Sequence, residues 1–324
     1  MATKVAINGF GRIGRLVARA ILERSDHDLE LVSINDLADT KSNALLFQFD
    51  STHGRFPGTV EVVGEQLQIN GDSIATAHCE HVEELDWAEL GVDLVLECSG
   101  SFSSRNEAER HLTRGAGAVL FSQPAAADVD ATLVYGYNHH QLVASDRILS
   151  AASCSTNAVV PVIDAIERAF GVEHGVITTI HSAMNDQPVI DAYHHTDLRK
   201  TRSAMHSIIP IETGLARGID RVMPALAGRF EAQAMRVPTM NVSVIDLSIV
   251  LRRDVSVGTV NAALLSASRD GYCGVLGYTE EPLASCDFNH DRHSAIVDAS
   301  QTRVAGRRLA KILLWFDNEW GYAN

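Results

Sequence analysis

Val5-Ala6-Ile7-Asn8, Gly9-Phe10-Gly11-Arg12-Ile13-Gly14 and Arg15-Leu16-Val17-Ala18-Arg19-Ala20-Ile21-Leu22 follow one another as a short apolar strand, a glycine turn and a helical pattern. That order constrains the fold more than any other stretch of the chain. A bare GxGxxG is common, but between a strand and a helix it forms the first turn of a doubly wound, dinucleotide-binding sheet. Gly9, Gly11 and Gly14 let the backbone turn tightly and approach a pyrophosphate, while Arg12 and Ile13 lead into a helix N-terminus whose unpaired N–H groups favour an anion. A second strand, residues 29–34, ends at Asn35-Asp36. Asp36 lies 22 residues after Gly14, where a carboxylate accepts hydrogen bonds from the adenosine ribose and repels a 2′-phosphate. NAD rather than NADP is therefore expected, with a plain Asn-Asp turn as the alternative.

Residues 1–152 go on alternating strands and helices. Parallel strands at 92–98 and 118–121 end at Ser99-Gly100 and Ser122, and ligands of such sheets bind outside the carboxyl ends of the strands, so Ser99 and Ser122 join the cofactor-site candidates. Residues 60–69 run into Asn70-Gly71, which predicts an inserted antiparallel hairpin. After residue 152 the pattern changes. Residues 156–170 read as a helix with Val159, Val160, Ile163 and Ile166 on one face and Pro161 near its first turn. Segments 175–181, 230–237, 242–251 and 308–315 are rich in β-branched residues with imperfect alternation, which suits an antiparallel sheet with one covered face. The fold expected is α/β: a Rossmann-type NAD-binding domain, residues 1–152, followed by an α+β catalytic domain with a mostly antiparallel sheet, residues 153–317.

The second domain opens on Ala152-Ser153-Cys154-Ser155-Thr156-Asn157-Ala158, and His181 closes the strand at 175–181. A thiolate, not a thiol, attacks carbonyls, and both a helix N-terminus and a nearby imidazolium stabilise it. Cys154 with His181 therefore reads as a nucleophile and its proton acceptor, although a lone cysteine is more often a small buried hydrophobe. Between residues 181 and 208 the chain lacks a clear period and carries Arg199, Lys200 and Arg202, a charge suited to an anion.

Composition narrows the partners. A net charge of −14 without a basic block argues against nucleic acid. No apolar run approaches the roughly 20 residues that span a bilayer, and the N-terminus enters a strand without a signal-peptide pattern, so a cytoplasmic protein without membrane association is expected. Five cysteines at irregular spacing, with no CxxC pair, indicate neither a disulfide framework nor zinc. The pairs His139-His140 and His194-His195 and the run His290-Asp291-Arg292-His293 lack metal-motif spacing, so no metal is expected.

Taken together, Asn8–Arg15, Asp50-Ser51-Thr52-His53-Gly54, Ser153-Cys154-Ser155-Thr156-Asn157, Thr213-Gly214, Arg236-Val237-Pro238-Thr239 and Trp315-Phe316-Asp317-Asn318-Glu319-Trp320-Gly321-Tyr322 resemble the glyceraldehyde-3-phosphate dehydrogenases in order and over the whole length. His181-Ser182-Ala183-Met184-Asn185-Asp186-Gln187, Val189-Ile190-Asp191-Ala192-Tyr193-His194 and the stretch 287–298 resemble the erythrose-4-phosphate dehydrogenase branch more than the glycolytic one. The resemblance implies that Cys154 attacks a sugar-phosphate aldehyde and that His181 takes the proton. It implies that Arg236, Arg199 and the Thr213-Gly214 pair hold the substrate phosphate and a phosphate co-substrate, with Ser153 and Ser155 beside the thiol in the substrate site, and that Asn318 orients the nicotinamide carboxamide. It further implies a homotetramer, and NAD-dependent oxidation of D-erythrose 4-phosphate to 4-phospho-D-erythronate, with water resolving the thioester, in pyridoxal 5′-phosphate biosynthesis. A phosphorylating glyceraldehyde-3-phosphate dehydrogenase shares every catalytic part and stays open, as does a non-catalytic nucleotide-binding module. Glycolytic members place a threonine where Met184 stands. Members of the family also continue past the equivalent of Asn324, so residues 318–324 are expected to begin a C-terminal segment returning to the NAD domain.

Overall fold

The computed structural model describes residues 2–24, 27–194 and 197–324; His195 of the His194-His195 pair lies outside them. The chain divides into two compact units. Apart from the last two residues, one comprises the chain to Leu133 with His139–Ala152, and the other Val134–Asn138 with Ser153–Tyr322.

The first unit holds a nine-stranded sheet whose spatial order runs Ala131–Thr132, Ile148–Ser150, Ala118–Phe121, Leu94–Glu97, Thr3–Asn8, Leu29–Asn35, Asp72–Ala77, Gln66–Ile69 and Val60–Val63. The first seven pair in parallel and the last two antiparallel. Thr3–Asn8 sits at the centre, and its successive side chains serve opposite faces: Ala6 packs with Trp87, Val95, Val119 and Phe121, while Ile7 packs with Phe10, Phe47 and Phe56. A strand buried on both sides is the mark of a doubly wound sheet. Asn70 and Gly71, both with positive φ (54° and 94°), form the expected hairpin turn. The stretch 60–69 is itself a second hairpin, because Gly64 (φ 65°) reverses the chain inside it.

The second unit holds a seven-stranded mixed sheet ordered Ile209–Ile211, Phe230–Arg236, Val172–His181, Ser243–Leu251, Leu309–Phe316, Ala295–Ala305 and Leu276–Thr279. Four of its six pairings are antiparallel. Ala295–Ala305 was not legible as a strand. Its polar run Ser300-Gln301-Thr302-Arg303 and a break in register between Asp298 and Arg303 hide the alternation.

The helix Cys154–Phe170 packs on this sheet through Val159, Val160, Val162, Ile163 and Ile166, all buried. Each such side chain contributes roughly 1.5–3 kcal/mol through burial. Ser153 caps its start, the hydroxyl accepting from the Thr156 N–H at 3.1 Å, and Gly171 (φ 71°) ends it. The cap moves the start two residues ahead of the expected one, so Pro161 lies inside the helix and not near its first turn. Pro161 therefore supplies no N–H to the Asn157 carbonyl.

Candidate active site and cofactor cradle

The glycine turn is shaped by close approach. Gly9 has φ +90°, and a Cβ there would lie 2.4 Å from the Ser99 backbone. A Cβ on Gly14 would lie 2.1 Å from the Gly9 carbonyl oxygen. Gly11, by contrast, faces open space, and the helix Arg12–Leu22 that follows has no side-chain cap. A glycine turn leading into a helix start without a side-chain cap fits the pyrophosphate of a dinucleotide.

Around this turn the carboxylates organise backbone. Asp36 accepts from the Phe10 N–H at 2.6 Å and the Ala38 N–H at 2.9 Å, one bond to each oxygen. It ties the glycine turn to the end of the second strand and keeps a lone pair on each oxygen for a ribose hydroxyl. Burial would push the Asp50 carboxyl up, but the His53 N–H, the Arg12 guanidinium and the Thr52 N–H bring it down to about 2. Arg12 is thereby fixed beside the turn. Beneath it Glu97, 1% exposed, accepts from Asn8 Nδ2 at 2.6 Å, from the Ser99 N–H at 2.8 Å and from the Ser99 hydroxyl. His111 Nδ1 accepts from Trp87 Nε1 at 3.1 Å, so its other nitrogen carries the proton and donates to Glu97. The Ser122 N–H donates to the Glu97 carbonyl at 3.0 Å, and the Ser122 hydroxyl contacts the Cys98 thiol, which burial pushes up to about 12.

In the second unit, Cys154 opens its helix and His181 closes the strand Val172–His181. The Cys154 Sγ lies 3.7 Å from His181 Nε2 and 3.9 Å from the Ser155 hydroxyl. His181 Nδ1 lies 2.9 Å from the Ser182 carbonyl oxygen, which can only accept. Nδ1 therefore carries the proton of the neutral ring, and Nε2 turns a lone pair toward the sulfur. Burial pushes the Cys154 thiol up, against the pull of the Ser155 hydroxyl and the Ser155 and Cys154 N–H groups. Burial also pushes His181 down, the Ser182 carbonyl opposing and Arg236 assisting. Both shifts act against the thiolate–imidazolium pair expected from the sequence, while the 3.7 Å separation places the two groups for proton transfer.

Asn318, expected at the nicotinamide, is set by two serines. The Ser182 hydroxyl donates to Asn318 Oδ1 at 2.9 Å and the Ser243 hydroxyl at 2.8 Å, and the Ser182 N–H donates to the Ser243 oxygen at 3.0 Å. Both hydroxyls hold the amide oxygen, which leaves the amide nitrogen as the donor to a ligand. Neither serine stood out in the sequence. Asp317 fixes the same turn, accepting from the Glu319 and Trp320 N–H groups at 2.9 and 2.7 Å.

Arg236 stands beside His181 in register on the neighbouring parallel strand. Its Nη1 pairs with Asp186 and donates to Gln187 Oε1 at 3.1 Å, and its Nη2 donates to Met184 Sδ at 3.4 Å. Lys200 Nζ holds the other Asp186 oxygen at 2.8 Å. Ser153 uses its hydroxyl as the helix cap. Thr213 turns its hydroxyl to the Leu215 N–H at 3.2 Å, and the helix Leu215–Val222 begins at Gly214 without a side-chain cap. Gly218 of that helix leaves room for Thr156, whose hydroxyl would lie 2.8 Å from a Cβ there. Arg199 is not gathered in: it lies exposed on the short helix Leu198–Thr201, and no contact ties its side chain to Cys154, His181 or Arg236. Asp186 went unassigned because residues 181–208 read as a run of cationic charge, and Lys200, expected to serve an anion there, pairs with Asp186.

Among the described residues no group of His, Cys, Asp or Glu is placed to hold a metal ion, and no helix is long and apolar enough to cross a membrane. Compared with known families, residues 3–105 match the NAD binding domain of glyceraldehyde 3-phosphate dehydrogenase, and residues 153–318 match the C-terminal domain of the same enzyme.

Proposed function

The chain belongs to the glyceraldehyde 3-phosphate dehydrogenase family, with NAD as its cofactor, and from that premise we propose that it oxidises D-erythrose 4-phosphate to 4-phospho-D-erythronate through a thioester on Cys154. The observation that carries the covalent chemistry is the 3.7 Å approach of Cys154 Sγ to a His181 Nε2 whose partner nitrogen is tied to the Ser182 carbonyl. His181 takes the thiol proton as sulfur adds to the aldehyde carbon. The Cys154 N–H and the imidazole then face the oxygen on which charge develops. NAD supplies the hydride acceptor. Thr213 and the uncapped helix start at Gly214 offer donors to the sugar phosphate, and Arg236 offers a planar fork to a further anion; Ser153 and Ser155 flank the thiol.

The four-carbon substrate is supported by Met184, which replaces the hydroxyl of glycolytic members with a thioether acceptor. The same reading assigns water to the thioester, pyridoxal 5′-phosphate biosynthesis to the pathway, a cytoplasmic location and a homotetrameric assembly. Steady-state NADH formation with D-erythrose 4-phosphate and with glyceraldehyde 3-phosphate, each with and without inorganic phosphate, tests it. A higher kcat/KM for the four-carbon sugar, undiminished without phosphate, is the expected outcome. Strict dependence on phosphate with preference for the three-carbon aldehyde would move the protein to the glycolytic reaction.

A further inference from the structure

We propose that Asp186 closes the anion seat on Arg236 to free inorganic phosphate, so that water resolves the Cys154 thioester; the inference rests on the dehydrogenase reading above. The Arg236 side chain is 7% exposed, and an arginine so placed serves an anion best through two N–H groups of its fork. Here Nη1 is taken by Asp186 and Gln187, and Nη2 by the Met184 sulfur. Nε, buried, has no partner among the described residues. The seat is filled by the protein's own carboxylate, which Lys200 holds from its other side at 2.8 Å.

A phosphate arriving at this fork meets a carboxylate within hydrogen-bond distance of the same guanidinium. It has either to displace Asp186 from Arg236 or to bind beside a like charge. The ion pair therefore keeps free phosphate from this seat. With phosphate excluded, a water oxygen bonds to the acyl carbon as the C–S bond breaks. Sulfur leaves with the bonding electrons and takes one water proton by way of His181. The carboxylic acid releases the other proton to solvent. No oxidant enters this step, since the hydride has already left.

Titration calorimetry with inorganic phosphate on the NAD-bound protein tests this exclusion directly, with wild type, Asp186→Asn, Asp186→Thr and the double variant Asp186→Asn/Arg236→Gln compared. Neutralising Asp186 should tighten phosphate binding at least about tenfold. The gain should vanish in the double variant. With phosphate present, the single variants turning over D-erythrose 4-phosphate should yield acyl phosphate in place of acid. Wild type binding phosphate as tightly as both single variants, at unchanged Tm and NAD affinity, would overturn the inference. So would a gain that survives loss of Arg236. Failure of the dehydrogenase reading shows separately, as absence of NADH from either aldehyde, and leaves the phosphate titration readable.

Discussion

Ser182 and Ser243 donate to the same Asn318 oxygen, yet their removal should differ in cost. Both serines are buried, at 0% and 1% exposure. Ser182→Ala deletes one O–H···O bond of 2.9 Å and leaves Asn318 Oδ1 its bond from Ser243. Its net cost should be about 1 kcal/mol. Ser243→Ala deletes the 2.8 Å bond and also removes the acceptor of the Ser182 N–H at 3.0 Å. A buried N–H left without a partner costs a further ~1–3 kcal/mol, so the total should reach about 2–4 kcal/mol. Urea unfolding of the two variants and the double variant, followed by tryptophan fluorescence, reads the difference. The double variant should cost less than the sum plus one bond, since Ser182 and Ser243 form one network. A Ser182→Ala variant as destabilised as Ser243→Ala, with unchanged m-values, would refute the assigned directions of these bonds.

Gly9→Ala should cost more than about 3 kcal/mol and abolish measurable NAD binding, because φ +90° is strained for alanine and the new Cβ would meet Ser99 backbone at 2.4 Å; retained NAD affinity by fluorescence titration would contradict this. Asp50, held at about 2 in the folded protein, lies below its unfolded value of ~3.9. Its contribution is therefore complete above that unfolded value and is lost as pH falls through about 2. Asp50→Asn should cost about 1–2 kcal/mol near neutral pH, and a gap from wild type that stays constant between about pH 6 and pH 3 would count against the pairing. His181→Asn should slow iodoacetamide labelling of Cys154 by about a hundredfold or more, the usual span of a positioned base; an unchanged rate would assign thiol reactivity to the helix terminus alone.

The glycine turn was legible because its demands are local: a positive φ at Gly9 and backbone contact at Gly14 admit no side chain. Cys154 and His181 were legible for a similar reason, each standing at the end of an element that its own neighbours define. What the sequence hid depends on contacts between distant segments. Ser243 acquires its place at Asn318 only when the strands Ser243–Leu251 and Leu309–Phe316 pair. Glu97 looks like the end of an apolar strand, and only the fold brings Asn8 and His111 to its carboxylate. Asp186 is one acid in a segment read for its cations, and its bond to Arg236 spans 50 residues. Burial, which a sequence does not display, pushes the Cys154 thiol up against the hydrogen bonds that draw it down.

The covalent step is the centre of this account, and a single-turnover experiment reaches it most directly. NAD-bound protein mixed with excess D-erythrose 4-phosphate and quenched in acid within the first turnover should show one NADH per chain and an intact-mass increase equal to the four-carbon acyl group, mapped to the peptide bearing Cys154. Cys154→Ser should show neither. A burst of NADH without an adduct on Cys154, or an adduct on another of the five cysteines, would contradict it.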